Sequence, residues 1–374
     1  MLLTIIVFLL ILSILVFVHE AGHFLVAKFF KIKVEEFGFG LPPRAFGKKI
    51  GETIYSINWL PIGGFVKLYG EDEAGGGRVK RDQPSATSHK PSTNLERAFF
   101  SKPAWQRALV VFAGVFMNFV LAVLIISFLF SVVGVPVPKD KVLVSAIIPN
   151  APADKAGLKV GDVIEEINGT KITQPSQLVE IAKKHAGQRL TVKLKTQNSK
   201  LKTIEITPRK EYPKGEGPMG VAISQDFSIK KYPWYEAPFV GTKEALNQTW
   251  MILTGLGGLI VGLVTKGVVP SDVAGPVGIA QLTGKVVEIG PYAVLSLISL
   301  LSLNLAIINI LPIPALDGGR LFFIVIEAVT RKKVNPKFEG YAHTIGMAIL
   351  LGLIAIITLH DLFRIFTGQP ILPK

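Results

Sequence analysis

The sequence predicts a polytopic α-helical membrane protein with four transmembrane helices, a membrane-associated β-hairpin region and an inserted soluble α+β domain. Hydrophobic residues make up 49% of the 374 positions, and the mean hydropathy is +0.45. Four apolar runs have the length needed to cross a bilayer. They cover about 1–27, 105–134, 292–329 and 343–366. A fifth run, 250–264, is short and rich in glycine, so we do not count it as a span.

Changes in composition divide the chain into four regions. The polar stretch within the first region at 71–102 is rich in glycine, serine and lysine and is expected to be a flexible loop. The regions are a first membrane half at 1–134 with a β-rich loop at about 35–70, a soluble domain at 135–212, a linker and membrane-surface or re-entrant segment at 213–290, and a second membrane half at 291–374.

The β-rich loop shows the alternation of apolar and polar residues that is typical of strands. Segments 53–60 and 65–68 are separated by Pro61-Ile62-Gly63-Gly64, which predicts a hairpin turn at that point. A sheet edge beside a membrane site could pair with an extended peptide. A purely structural hairpin explains the pattern equally well.

The net charge of +14 raises the question of a nucleic-acid partner. The cations gather at the ends of apolar runs, without a basic helix or an aromatic platform, so we expect a lipid bilayer and no nucleic acid. Lysine and arginine in 28–104 and 331–337 place these loops in the cytoplasm. Both termini and 135–235 are then extracytoplasmic. The chain has no cysteine, so metal ligands must be histidine or carboxylate.

The motif His19-Glu20-Ala21-Gly22-His23 lies inside the first apolar run. On a helix, two imidazoles four residues apart face the same way and can bind one Zn²⁺. Glu20 then lies beside the metal, where a carboxylate can accept a proton from an activated water. Ionisable residues inside a span are costly and indicate function. A signal peptide would begin with positive charge, whereas the first cation here is Lys28.

A catalytic zinc site needs a third protein ligand. Asp317 is the only aspartate in the third apolar run. Pro312 and Pro314 interrupt that helix, which is tolerated at membrane depth where backbone is packed or lines a cavity. Asn309 could donate a hydrogen bond to a substrate backbone there. Alternatively, Asp317 pairs with Arg320 at the end of a helix. Near the ends of the fourth run, we expect interfacial or capping roles for His343, His360 and Asp361.

The soluble domain contains predicted strands at 142–148, 163–169 and 190–194 and a predicted helix at 176–185. The stretch 153–164, followed by Ile167-Asn168-Gly169, closely resembles the bacterial PDZ pattern. PDZ domains bind extended peptides or free C-termini by strand addition.

Together these motifs resemble the site-2 protease family of intramembrane zinc metalloproteases. The likeness is closest to the bacterial branch that cleaves anti-sigma factors, such as the sigma-E regulators, and carries a PDZ domain. It is based on H-E-x-x-H, on Leu316-Asp317-Gly318 and on the element at 59–67. The resemblance implies a membrane-associated β-structure at about 37–68 on the cytoplasmic side. It also implies His19, His23 and Asp317 as zinc ligands, Glu20 as catalytic base, and Asn309, Pro312 and Pro314 as substrate-binding residues.

In the second run the family motif usually reads Gly-Pro-x-x-Asn, whereas this chain has Gly114-Val115-Phe116-Met117-Asn118. We expect only a local change in packing there. The resemblance implies a zinc metalloendopeptidase of the bacterial inner membrane that performs regulated intramembrane proteolysis. Its expected substrates are single-pass membrane proteins, either anti-sigma factors or signal-peptide remnants, and an upstream site-1-type protease could act on them first. The alternative is a catalytically inactive membrane scaffold that uses its PDZ domain to bind peptide tails.

Overall fold

The computed structural model describes residues 2–71, 95–213, 215–266, 275–332 and 334–367. Residues 72–94, most of the stretch predicted as a flexible loop, lie outside the described residues. The chain folds as two compact units: the first comprises Met1–Ser131 with Pro233–Lys374, and the second comprises Val132–Tyr232.

The helices and strands follow one another in a fixed order along the chain. Two short 3₁₀ helices, Leu95–Arg97 and Phe99–Ser101, precede the second long helix. The order is α1 (Leu2–Phe29), β1 (Val34–Ile50), β2 (Thr53–Leu68), α2 (Ala104–Val132), β3 (Val135–Ile147), α3 (Pro152–Lys155), β4 (Val163–Ile167), β5 (Thr170–Lys171), α4 (Pro175–Lys184), β6 (Leu190–Lys195), β7 (Leu201–Ile206), β8 (Val221–Lys230), α5 (Ala237–Lys266), α6 (Pro276–Ile289), α7 (Pro291–Ile310), α8 (Asp317–Thr330) and α9 (Pro336–Phe366).

Within the described residues, four helices are long and apolar enough to cross a membrane, namely α1, α2, α7 and α9. They correspond to the four predicted runs. The third run is divided, because α7 ends at Ile310 and α8 begins at Asp317. Pro312 and Pro314 explain the break, since proline lacks an amide hydrogen and clashes with the preceding turn. Segment 213–290 contains β8, α5 and α6, and its membrane placement stays a prediction.

Helices α1 and α2 cross at very close range. A Cβ atom on Gly22 would lie 2.3 Å from the carbonyl oxygen of Ala113, and one on Gly114 would lie 2.3 Å from Nε2 of His23. Small residues at such crossings let helix backbones approach each other. The glycine in the H-E-x-x-H motif therefore permits the contact that brings α2 against the two histidines.

The sheet of the first unit has a different turn from the one we predicted. Ile50 pairs with Thr53, so the hairpin turn is Gly51-Glu52, whereas Pro61–Gly64 lies inside the continuous strand β2. The first part of β1 is flanked on both sides by β2, since Gly38 pairs with Ser56 and also with Phe65. The prediction placed the turn at the proline and glycines, but these residues carry β2 from one side of β1 to the other.

Ion pairs and hydrogen bonds fix the sheet and the helix ends. Glu52, at the hairpin turn, accepts two hydrogen bonds of 2.6 Å from the Arg97 guanidinium and one of 3.0 Å from Lys28. Lys28 is in the last turn of α1, so this cluster attaches the turn to that helix. Asp361, in α9, accepts the backbone N–H groups of Gly275 and Gly278 at the start of α6. Asp361 therefore caps the start of α6, and capping is one of the two roles expected for it.

The second unit is an antiparallel sheet with the strand order β7-β6-β4-β3-β8, and β5 pairs with β4. The predicted strands overlap β3, β4 and β6, although the one at 163–169 ran two residues too far, and the predicted helix overlaps α4. Asn168 and Gly169 join β4 to β5 with φ angles of 49° and 82°, as a type I′ turn requires. Its core is apolar and includes Val142, Ile164, Leu178, Leu190 and Met219.

Candidate metal centre and active site

Three candidate ligands from two helices meet at one point. His19 and His23 are both buried on one face of α1, and Asp317 is the first residue of α8. Nε2 of His19 and Nε2 of His23 lie 3.2 Å apart. Oδ2 of Asp317 lies 2.9 Å from the first of these nitrogens and 3.2 Å from the second.

These separations fit a tetrahedral zinc ion. Zn–N and Zn–O bonds of about 2.0–2.2 Å place neighbouring tetrahedral ligands roughly 3.3 Å apart. Asp317 Oδ2 is buried and accepts no hydrogen bond, so its charge needs a cation in this environment. Two imidazoles and one carboxylate are also a donor set that catalytic zinc sites use, with a position left for water or substrate.

Helix α2 supports both imidazoles from behind. Nδ1 of His23 donates to the carbonyl oxygen of Val110 at 2.8 Å, which leaves Nε2 available to a metal. The side-chain amide of Asn118, which is fully buried, lies 3.3 Å from Nδ1 of His19. Sequence reasoning expected only a local packing change from the missing proline of this motif and gave Gly114 and Asn118 no role at the histidines. Gly114 and Asn118 instead contact the histidines directly, and the spacing G-x-x-x-N was the signal that could have revealed it.

Glu20 faces the sheet. Its Oε2 accepts the backbone N–H of Val66 at 3.0 Å. Two residues further along β2, the N–H of Leu68 donates to Oε2 of Glu71 at 3.2 Å. The part of β2 that contains Val66 and Leu68 pairs with β1 on one side, so these N–H groups point away from the sheet. Two carboxylates of the protein therefore occupy donors that an added strand would use.

A cavity of about 480 Å³ connects these groups. Arg320, one turn after Asp317, forms an ion pair with Glu71 across it. The carboxylate of Asp317 lies beside the two histidines. The lining includes Glu20, His23, Asp317, Arg320 and Phe65–Leu68.

The remaining predicted site residues lie beside this cavity rather than in its lining. Asn309, in the last turn of α7, has its Nδ2 at 3.5 Å from Nε2 of His19. Pro312 lies in the connection from α7 to α8, and Pro314 borders a separate apolar cavity formed with α9. Asn309 is thus close to the candidate metal centre, and the prolines shape the connection that leads to Asp317.

Comparisons with known proteins identify the family of the chain. Peptidase family M50 matches residues 7–353. Zinc metalloprotease RasP of Geobacillus kaustophilus is 33% identical over 97% of this chain and 98% of its own length. Regulator of sigma-W protease RasP of Bacillus subtilis is 32% identical over 97% and 99%. The chain therefore belongs to peptidase family M50, the site-2 protease family, and is a multi-pass zinc metalloprotease. The family and the enzyme class predicted from the motifs are confirmed.

The second unit also has a likeness among solved structures. The PDZ domain of an SdrC-like protein from Listeria monocytogenes covers 24% of this chain and 93% of its own, with 23% identity and a TM-score of 0.21. Because this TM-score is low, the second unit is described from its own strand order and sequence motif and not from this likeness.

Proposed function

We propose that this protein hydrolyses peptide bonds within the membrane-spanning segments of single-pass membrane proteins, with His19, His23 and Asp317 as zinc ligands and Glu20 as the base. The proposal depends above all on one observation. The three ligand atoms converge next to a carboxylate that is not one of them, in a unit built on four membrane-length helices. The relative of Bacillus subtilis, a protease named for the regulation of sigma-W, supports membrane-anchored anti-sigma factors as the substrate class.

Each residue has a separate task in this proposal. The zinc ion supplies Lewis-acid chemistry, which lowers the pKa of water and polarises a carbonyl. Glu20 accepts a proton from the attacking water and delivers it to the amine that leaves. Asn309 donates a hydrogen bond to the substrate backbone beside His19. The break at Pro312 and Pro314 allows Asp317 to reach the two histidines, and it leaves space in which a substrate can unwind.

We propose that the substrate binds as an added strand along the cavity side of β2. A transmembrane helix shields its own peptide bonds, so it must become extended before attack. Carbonyl oxygens of an extended segment, spaced two residues apart, would accept the N–H groups of Val66 and Leu68. Binding then frees Glu20 from Val66, which makes its carboxylate available for the proton transfer.

The second unit is proposed to be a PDZ domain on the extracytoplasmic side, where both termini also lie. Strand β8 is an edge strand of the sheet. Gln225 from this strand donates a hydrogen bond to the Thr173 carbonyl oxygen just before α4. PDZ domains bind peptide tails at an edge strand that lies beside a helix, and β8 and α4 have this arrangement. In the bacterial inner membrane, this unit would admit substrates that an upstream protease has already shortened.

Cleavage of a single-span test substrate in detergent by the wild type and by Glu20→Gln tests the function. Bound zinc is quantified in both proteins. We expect equal zinc and a loss of activity of about 10²–10⁴-fold, because the general base alone is removed. Glu244→Gln, the same change at a residue of α5 that does not line the cavity, is the matched control and should cleave normally.

The same experiment separates the enzyme from the inactive scaffold. Equal cleavage by wild type and Glu20→Gln would reject Glu20 as the base. A wild type without zinc and without cleavage, but with retained binding of peptide tails, would support the scaffold.

A further inference from the structure

The connection between α7 and α8 determines the position of Asp317, yet most of its backbone N–H groups bond only to nearby residues in the chain. It has four amide hydrogens between 311 and 316, because Pro312 and Pro314 have none. Three of these N–H groups, at Leu311, Ile313 and Leu316, donate to carbonyl oxygens no more than three residues earlier. Such local bonds shape a turn but do not attach it to the rest of the protein.

The fourth amide hydrogen leads to another helix. Ala315 donates its N–H to Nδ1 of His343 in α9 at 2.9 Å. Among the hydrogen bonds described for the N–H groups of this connection, it is the one that reaches a distant part of the chain. Ala315 also has a φ angle of 85°. That conformation is costly for a residue with a side chain and persists where surrounding contacts hold it.

Helix α9 meets the connection at a second point on the same face. A Cβ atom on Gly346 would lie 2.3 Å from the carbonyl oxygen of Pro314, so the helix touches the backbone there. Residues 343 and 346 are three apart and lie on one face of a helix. His343 is buried, and its ring lies 6.0 Å from that of Phe323 in α8. The imidazole therefore fills a defined place between α8, α9 and the connection.

We propose that His343 is a positioning residue that holds Asp317 in place through Ala315; this rests on the proposed role of Asp317 as a zinc ligand. A neutral imidazole with its proton on Nε2 accepts the Ala315 N–H at Nδ1. Asp317 follows Ala315 by two residues. Loss of the acceptor allows the strained backbone at Ala315 to relax, and this moves the carboxylate relative to His19 and His23. His343 touches neither metal ligands nor substrate in this role.

The test compares His343→Asn with His343→Leu. The two side chains have nearly the same size, but only asparagine presents an acceptor oxygen at the position of Nδ1. Zinc affinity is measured by competition with a chelator, and kcat and KM are measured with the single-span substrate. We expect His343→Leu to bind zinc about 10–100-fold more weakly and to lose kcat with little change in KM. His343→Asn should stay within about threefold of wild type in zinc affinity. His360→Ala, at an exposed position of α9, is the control.

Wild-type zinc affinity and kcat in both the asparagine and the leucine variant would overturn the positioning role. An equal loss of zinc affinity and kcat in both variants would overturn it too, because the acceptor atom would then make no difference. Failure of the proposed function looks different, since wild-type protein would then lack zinc or cleavage.

Discussion

The two halves of the candidate metal centre are built in different ways. His19 and His23 lie on a regular helix, where a spacing of four residues sets their relative position. Asp317 follows an irregular connection with two prolines and a residue at positive φ. The helical half depends on what packs against it, and the other half depends on what holds its backbone. Local spacing thus sets the relative position of the two histidines, whereas contacts with distant residues set the position of Asp317.

Gly114→Ala tests the helical half and should have the largest effect. The new Cβ would lie 2.3 Å from His23 Nε2 and 2.8 Å from His19 Cε1. Because α1 and α2 are already in contact, moving the helices apart would cost packing between them. The added methyl group therefore displaces the imidazoles. We expect zinc affinity to fall by about 100-fold or more, measured by chelator competition. Gly352→Ala in α9, where a Cβ meets nothing within 4 Å, is the control. Normal zinc affinity in Gly114→Ala would show that the helical half adapts.

Glu71→Gln tests the surroundings of the other half. Glu71 pairs with Arg320 in the first turn of α8 and accepts the Leu68 N–H that a substrate strand would need. A neutral amide holds both partners less strongly. We expect KM to fall by about two- to fivefold, which corresponds to about 0.4–1 kcal/mol of released competition, while kcat stays unchanged. Glu35→Gln on β1, whose carboxylate pairs with Lys67, is the control. A higher KM would mean that Glu71 assists substrate binding.

Glu52→Gln acts outside both halves and should have the smallest effect. The hydrogen bonds from Arg97 and then from Lys28 lower the pKa of Glu52 from 4.5 to about 2. A lowered pKa stabilises the folded state above the unfolded pKa, and this contribution is lost as pH falls from about 5 towards 2. Because the carboxylate is 30% exposed, we expect ~1 kcal/mol or less.

Thermal unfolding of wild type and Glu52→Gln at pH 7 and pH 3 measures this contribution. The difference between the two proteins should shrink at pH 3. Glu205→Gln, in the exposed pair with Arg189, should leave the unfolding midpoint unchanged. A difference that grows on acidification would contradict the cause assigned to the lowered pKa.

The sequence was sufficient for features that depend on local spacing. The H-E-x-x-H pair and the four apolar helices follow from periodicity. The Asn168-Gly169 turn was missed, because the predicted strand ran from 163 to 169. Asp317 was identified because a buried carboxylate needs a partner. The hairpin turn was placed wrongly, because both Gly51-Glu52 and Pro61–Gly64 suit a turn and only strand pairing distinguishes them. The contact of His343 with Ala315 depends on how helices pack, which no local pattern encodes.

The separation of the ligands along the chain has a consequence for biosynthesis. Chains emerge with their N-terminal end first, so His19, Glu20 and His23 enter the membrane long before Asp317 is made. In the proposed site, a chain interrupted before α8 has two of the three zinc ligands, whereas one interrupted between α8 and α9 has all three but lacks His343. A chain that ends before α8 is therefore unable to complete the proposed zinc site.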